Sequence, residues 1–166
     1  MKLVGDKLRE WAINEQSETK ADAFGRSAFN RYYYASFLIT RGMLKELNPE
    51  WAKAKHKNIP DILKKSLIDR VRRQIKIIER KKLFDVRDSS KQRRSLNIAV
   101  AGLSGLLSSA SSVRVTADYE PECQVVRAGN LITLSNQSLE AAKNWPDRAE
   151  AFSKVILKVW RELGLS

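Results

Sequence analysis

Two short segments hold the residues best suited to chemistry. Arg26–Phe37 reads RSAFNRYYYASF, and Arg114–Pro121, roughly ninety residues further on, reads RVTADYEP. Each joins an arginine to aromatic rings. An arginine is a fixed cation that can stabilise a charged phosphate, and acid–base work beside it needs a proton acceptor with a pKa near neutrality. Near Arg114 the side chains that could act are Asp118 and Tyr119, and a phenol with an ordinary pKa near 10 is a poor base at pH 7. The single histidine, His56, lies on the basic stretch WAKAKHK. It could serve only if the fold brought it back beside Arg114. The competing reading is structural. Arg114, Asp118 and Tyr119 would form a polar cluster with Arg31, Tyr32 and Tyr33, each satisfying the others' hydrogen bonds.

The charge is concentrated. Residues 51–100 carry sixteen Lys/Arg against five Asp/Glu, so this stretch holds +11 of the chain's formal +12. Such a patch attracts a polyanion, with RNA or DNA the commonest candidate. The cations expected to contact it are Lys64, Arg70, Arg72, Arg73, Lys76, Arg80, Lys81, Lys82, Arg93 and Arg94. A solubilising face, an anionic membrane surface and an acidic protein partner are the alternatives. No helix-turn-helix spacing is evident.

Positioning these residues requires helices. Apolar residues recur at three- and four-residue intervals through nearly the whole chain, and strand-like alternation is scarce. A first helix is expected from about Leu3 to Ile13, with Leu8 and Trp11 or Ala12 inward. A tyrosine helix from about Ser27 to Leu47 buries Phe29, Tyr33, Phe37 and Leu44 and stops at Asn48-Pro49. Within it Tyr34 is expected to be the exposed ring. The third, from Pro60 to about Lys82, has the cleanest period, Leu63, Leu67, Val71, Ile75 and Ile78, with cations on its other face. A fourth, about Ser90 to Val113, is capped by Asp88-Ser89-Ser90 and turns Leu96, Val100, Leu103, Leu107 and Ala110 inward. Its small residues, Gly102 and Gly105 among them, would let neighbouring backbones approach. Residues 122–132 read as a loop or short extended excursion. Ser135 or Asn136 caps a last helix that Pro146 kinks or restarts, with Phe152, Ile156, Val159 and Leu163 on its core stripe. The four tryptophans read as packing anchors. The fold class is all-α, a single-domain bundle of about five main helices, with the tyrosine helix against the fourth.

The arginine-plus-tyrosine-doublet-alanine-phenylalanine helix and the later arginine followed by Ala-Asp-Tyr resemble the HEPN family, small α-helical domains of bacterial toxin–antitoxin and phage-defence systems. The likeness covers roughly residues 5 to 160, and these two segments carry it. It implies an all-α fold without a sheet of three or more strands, a homodimer, and metal-independent RNA cleavage by an arginine and a histidine four to six residues later. It also implies a protein partner in some cases, such as a nucleotidyltransferase. Carried onto this chain, the arginine is Arg114, Val115 stands at the polar position after it, and Tyr119 stands where a histidine is needed. The expectation is therefore an RNA-associated effector or defence component with weak ribonuclease activity at best. An atypical endoribonuclease and a non-catalytic adaptor are the alternatives.

Other classes find little footing. One cysteine, Cys123, cannot form an intramolecular disulfide, which fits a reducing cytoplasm and reads as a structural thiol. With one histidine no Cys/His zinc site can be assembled, and no metal or cofactor is expected. The start, MKLVGDKLREW, is charged throughout and does not read as a signal peptide. Ser95 to Val113 is free of charge and nearly long enough to span a bilayer, but its serines and Asn97 make it a buried central helix rather than a membrane span.

Overall fold

A computed structural model describes residues 1–83 and 86–165, with the backbone alone at position 86. The class is all-α. The helices are α1 (Lys2–Asn14), α2 (Glu18–Leu47), a single turn α3 (Ile59–Asp61), α4 (Ile68–Arg80), α5 (Val86–Tyr119), α6 (Leu139–Lys143) and α7 (Trp145–Glu162). A π-helical segment, Ile62–Leu67, joins α3 to α4, so residues 59–80 form one continuous helical run. The chain divides into two compact units. Met1–Leu38 with Leu106–Arg148 make the first, and Ile39–Gly105 with the chain from Ala149 on make the second.

In the first unit α1 packs on α2 through Gly5. A Cβ there would lie 2.8 Å from the Tyr32 ring, so only glycine lets the helices come this close. Tyr32 is fully buried, and its hydroxyl donates to Asp6 at 2.9 Å. Ala12 faces inward as expected, whereas Trp11 is half exposed and leans on Phe24, ring centroids 5.5 Å apart. The tyrosine helix starts at Glu18 rather than near Ser27, because Ala21, Gly25 and Ala28 extend its buried stripe backwards.

Residues 122–138 correct the sequence reading. They hold a three-stranded antiparallel sheet, β1 (Val126–Ala128), β2 (Leu131–Leu134) and β3 (Gln137–Ser138), in the order β1-β2-β3. Two tight turns build it. Gly129, at φ +60°, opens the first, and Ser135 and Asn136, at φ +50° and +61°, form the second. Paired left-handed residues match the twist of a two-residue hairpin. Ser135 and Asn136 are therefore turn residues. The cap of α6 is Ser138, whose hydroxyl accepts from the Ala141 N–H at 3.1 Å. By the expectation set above, a sheet of this size counts against the HEPN resemblance.

In the second unit the run 59–80 buries Leu63, Leu67, Val71, Ile75 and Ile78, as its period requires. Lys82, at φ +55°, ends it. The Lys82 N–H donates to Glu79 O and the Leu83 N–H to Ile78 O, the double bond of a left-handed helix stop. Gly164 repeats this device after α7. Pro146 sits in the first turn of α7 and so restarts the helix after Asn144.

Helix α5 is longer than its apolar stretch. It begins before Asp88-Ser89-Ser90, which lie inside it rather than at its cap, and it runs through Arg114 to Tyr119, stopping two residues before Pro121. Its five expected inward residues are buried. Gly102 lies against the Phe152 ring, where a Cβ would come within 2.4 Å, so the close approach is to a side chain and not to a backbone. Gly105 faces open space. Among the described residues Arg87–Tyr119 is the one helix long and apolar enough to cross a membrane by length and composition. Half of its most apolar window is buried.

Candidate functional site

The two groups of candidate residues fall in different units. Those around Arg114 lie in the first, on the last turns of α5 and the middle of α2. Arg114 Nε is 2.8 Å from Asp118 Oδ2, a pairing of residues one helical turn apart. That approach lies off the N–H direction, so the nitrogen has no aligned acceptor and the contact is one of charge. The guanidinium also sits over two rings, 5.9 Å from the Tyr34 centroid and 5.4 Å from that of Tyr119. Its Nη2 is 3.5 Å from the Tyr34 hydroxyl. Burial alone would lower the Arg114 pKa, but Asp118, Tyr34 and Tyr119 hold it above its ordinary value. Asp118 in turn accepts from Asn30 Nδ2 at 2.6 Å.

This cluster has different members from those expected. Asn30 and Tyr34 belong to it because they are one turn apart on the face of α2 that meets α5. Arg31 and Tyr32 do not, since helical rotation carries them elsewhere. Arg31 lies 3.8 Å from the Met1 sulfur, and Tyr32 holds Asp6. Tyr33 borders the cluster, edge-on to Tyr34 at 5.4 Å and stacked on Phe37 at 6.4 Å. Its burial raises the phenol pKa, against the opposing pull of Ser111 and Arg114. Tyr119, two-thirds exposed, is the open ring of the group, whereas Tyr34 is only partly accessible.

Arg26 is the residue the sequence concealed. Its guanidinium donates to the carbonyls of Thr116, Ala117, Glu120, Pro121 and Cys123 and pairs with Asp22 at 2.8 Å. Among these, Ala117 O is a carbonyl that the helix end leaves without an intrahelical partner, and the others belong to the last turn or to the chain just beyond it. Asp22 also accepts from the Val125 N–H at 2.7 Å, tying the entry to the sheet to α2. An arginine directly after a glycine, on a helix turned toward a proline-terminated one, was the available signal. Cys123 is exposed, and desolvation together with the nearby Glu120 carboxylate raises its thiol pKa, which makes it a weaker nucleophile than a free thiol.

His56 belongs to the second unit, on an exposed 3-10 turn, His56–Asn58. That unit also carries all ten cations expected to meet nucleic acid, and each is exposed. Lys64 projects from the π segment, where an inserted residue shifts the helical phase. Arg72, Arg73, Lys76 and Arg80 follow along α4, Lys81 and Lys82 continue past its end, and Arg93 and Arg94 stand on α5. Three are partly engaged: Arg93 with Glu79 at 2.9 Å, Arg72 loosely with Asp69 at 3.9 Å, and Arg73 with the Asp69 carbonyl at 3.3 Å. Arg70 differs from the rest, its guanidinium lying 5.3 Å over the Trp160 ring. There it helps join α4 to α7, as does Gln74 by donating to Leu163 O at 2.8 Å. Trp160 is buried and meets Trp51 edge-on at 6.1 Å, so these two are packing residues.

Comparison of the chain with protein-family models, with curated proteins and with solved structures finds no match.

Proposed function

We propose that the protein binds RNA or other single-stranded nucleic acid through the basic face of residues 64–94. One observation carries this reading. Lys64, Lys76, Arg80, Lys81, Lys82 and Arg94 are exposed and have no carboxylate partner among the described residues, although five acids lie in the surrounding fifty residues. A face meant only for solubility is normally laced with opposite charges, whereas unpaired cations along one helical run suit a row of phosphates.

Nuclease chemistry is not part of the proposal. Arg114 is bound to Asp118, and the side chains that touch it are a carboxylate and two phenols. The two phenols are protonated at neutral pH, and the carboxylate is engaged by Arg114 and Asn30. A role in bacterial defence or toxin–antitoxin biology, a homodimer, and docking to a nucleotidyltransferase rest on the likeness of the two segments to the HEPN family. The three-stranded sheet weighs against that likeness. Binding by α4 needs none of it.

A salt titration tests the reading. With a labelled single-stranded RNA, the logarithm of the affinity should fall linearly with the logarithm of salt concentration, with a slope of about −3 if four or five phosphates are neutralised. A flat dependence, or no binding at low salt, rejects it.

A further inference from the structure

Within the second unit, α4 and the first half of α5 enclose a groove of about 290 Å³. Its floor is apolar, made by Ile68, Val71 and Leu96, and its rim is cationic, made by Arg72, Lys76 and Arg93. We infer that this groove seats one nucleotide of a single strand, its phosphate on the rim and its base or ribose against the floor. The inference rests on the nucleic-acid reading above and adds to it a position and a preference for unpaired strands.

The chemistry of the walls selects the occupant. A volume near the lower end of the range for small-ligand sites, about 300 Å³, admits a group of nucleotide size. Arg93 spends one donor on Glu79, and an arginine has five. Lys76 has no carboxylate partner among the described residues. Asn97 also lines the groove, is exposed, and makes no side-chain hydrogen bond among the described residues, so its amide can offer a donor and an acceptor to a base edge. A shallow hollow on the outer side of α4, lined by Asp69, Arg72, Arg73 and Lys76, shares Arg72 and Lys76 with the groove. The strand therefore has a second cationic step onto which the next phosphate can pass. A duplex keeps its bases stacked inside and would leave the apolar floor unused, whereas an unstacked strand uses both floor and rim.

The experiment uses the full chain and fluorescence anisotropy at one fixed salt concentration. The probes are a labelled mixed-sequence RNA of about ten nucleotides, its duplex, and phosphatidylserine vesicles. Two variants that each lower the net charge by one unit are compared, Asn97→Asp, which adds a carboxylate in the groove, and Lys45→Gln, which removes an exposed cation of α2 outside it. The single strand should bind about tenfold tighter than the duplex, and Asn97→Asp should cost it about fivefold or more against less than about twofold for Lys45→Gln. The uncharged variant Asn97→Leu should also weaken the single strand and leave the duplex unaffected. Equal affinity for both RNAs, or equal losses from the two charge variants, overturns the groove assignment while nucleic-acid binding stands. Binding to the vesicles in preference to either RNA overturns both.

Discussion

Arg114 Nε lies 2.8 Å from Asp118 Oδ2, and both belong to the final turns of one helix. The family-like segment is therefore not a loop presenting a cation to solvent. It is a helix end whose arginine is neutralised by its own neighbour, flanked by Tyr34 and Tyr119, and fixed through Asp118 to Asn30. A phosphate reaching it would meet a guanidinium that is mostly covered and whose charge this carboxylate already balances.

Removing this arginine should therefore unsettle the fold of the first unit more than any chemistry. Arg114→Ala and Asp118→Asn should each lower stability by about 1–2 kcal/mol in denaturant melts, and the double variant should lose less than the sum of the two. His56→Ala, on an exposed turn, should stay within about 0.5 kcal/mol. Efficient RNA cleavage that disappears in Arg114→Ala without any change in melting would refute this assignment.

Arg26 should prove the more demanding position. Arg26→Lys keeps the charge but not the planar fork that reaches five carbonyls, so it should cost about 2–3 kcal/mol. Hydrogen exchange should localise the loss to residues 114–128. A lysine variant as stable as the parent would mean that the carbonyls at the end of α5 find other partners.

The buried phenol of Tyr32 sets an alkaline limit. Burial first, and then its bond to Asp6, raise its pKa in the folded protein well above the ordinary value. The folded state thus holds this proton more tightly than the unfolded chain. The associated stability is complete below the unfolded pKa of about 10 and is lost progressively as pH rises beyond it. Tyr32→Phe should cost about 1 kcal/mol at pH 7 and flatten the decline of melting temperature above pH 10. An unchanged alkaline slope in that variant would assign the decline to other groups, Tyr33 first.

Helical periodicity was readable wherever one face is buried and the other wet. The run 59–80 needed nothing beyond its residues, because Leu63 to Ile78 mark the core and the cations mark the surface. Helix ends were harder to read. The stretches Asp88 to Ser90 and Arg114 to Tyr119 of α5 look like caps or loop, yet each buries residues of its own, Ser89 in the first and Thr116 and Ala117 in the second. The sheet was missed because its strands are two to four residues long, β1 is exposed throughout, and its second turn uses Ser135-Asn136 rather than a glycine. The five cations of α4 were legible because exposure follows from their spacing against the apolar stripe, and the other five because they stand close to them in sequence. The groove was not legible, since the side chains facing it come from helices some twenty-five residues apart in sequence.

The most direct test of the basic face is the affinity of a charge-reversed chain, Arg72→Glu, Arg73→Glu, Lys76→Glu and Arg80→Glu together, for single-stranded RNA. All four side chains are exposed, so circular dichroism should show the parent's helicity and a cooperative melt. The account predicts an affinity lower by about a hundredfold or more at moderate salt, with a shallower salt dependence. A folded quadruple variant that binds RNA as tightly as the parent would contradict it and return the charge of α4 to solubility or to a protein partner.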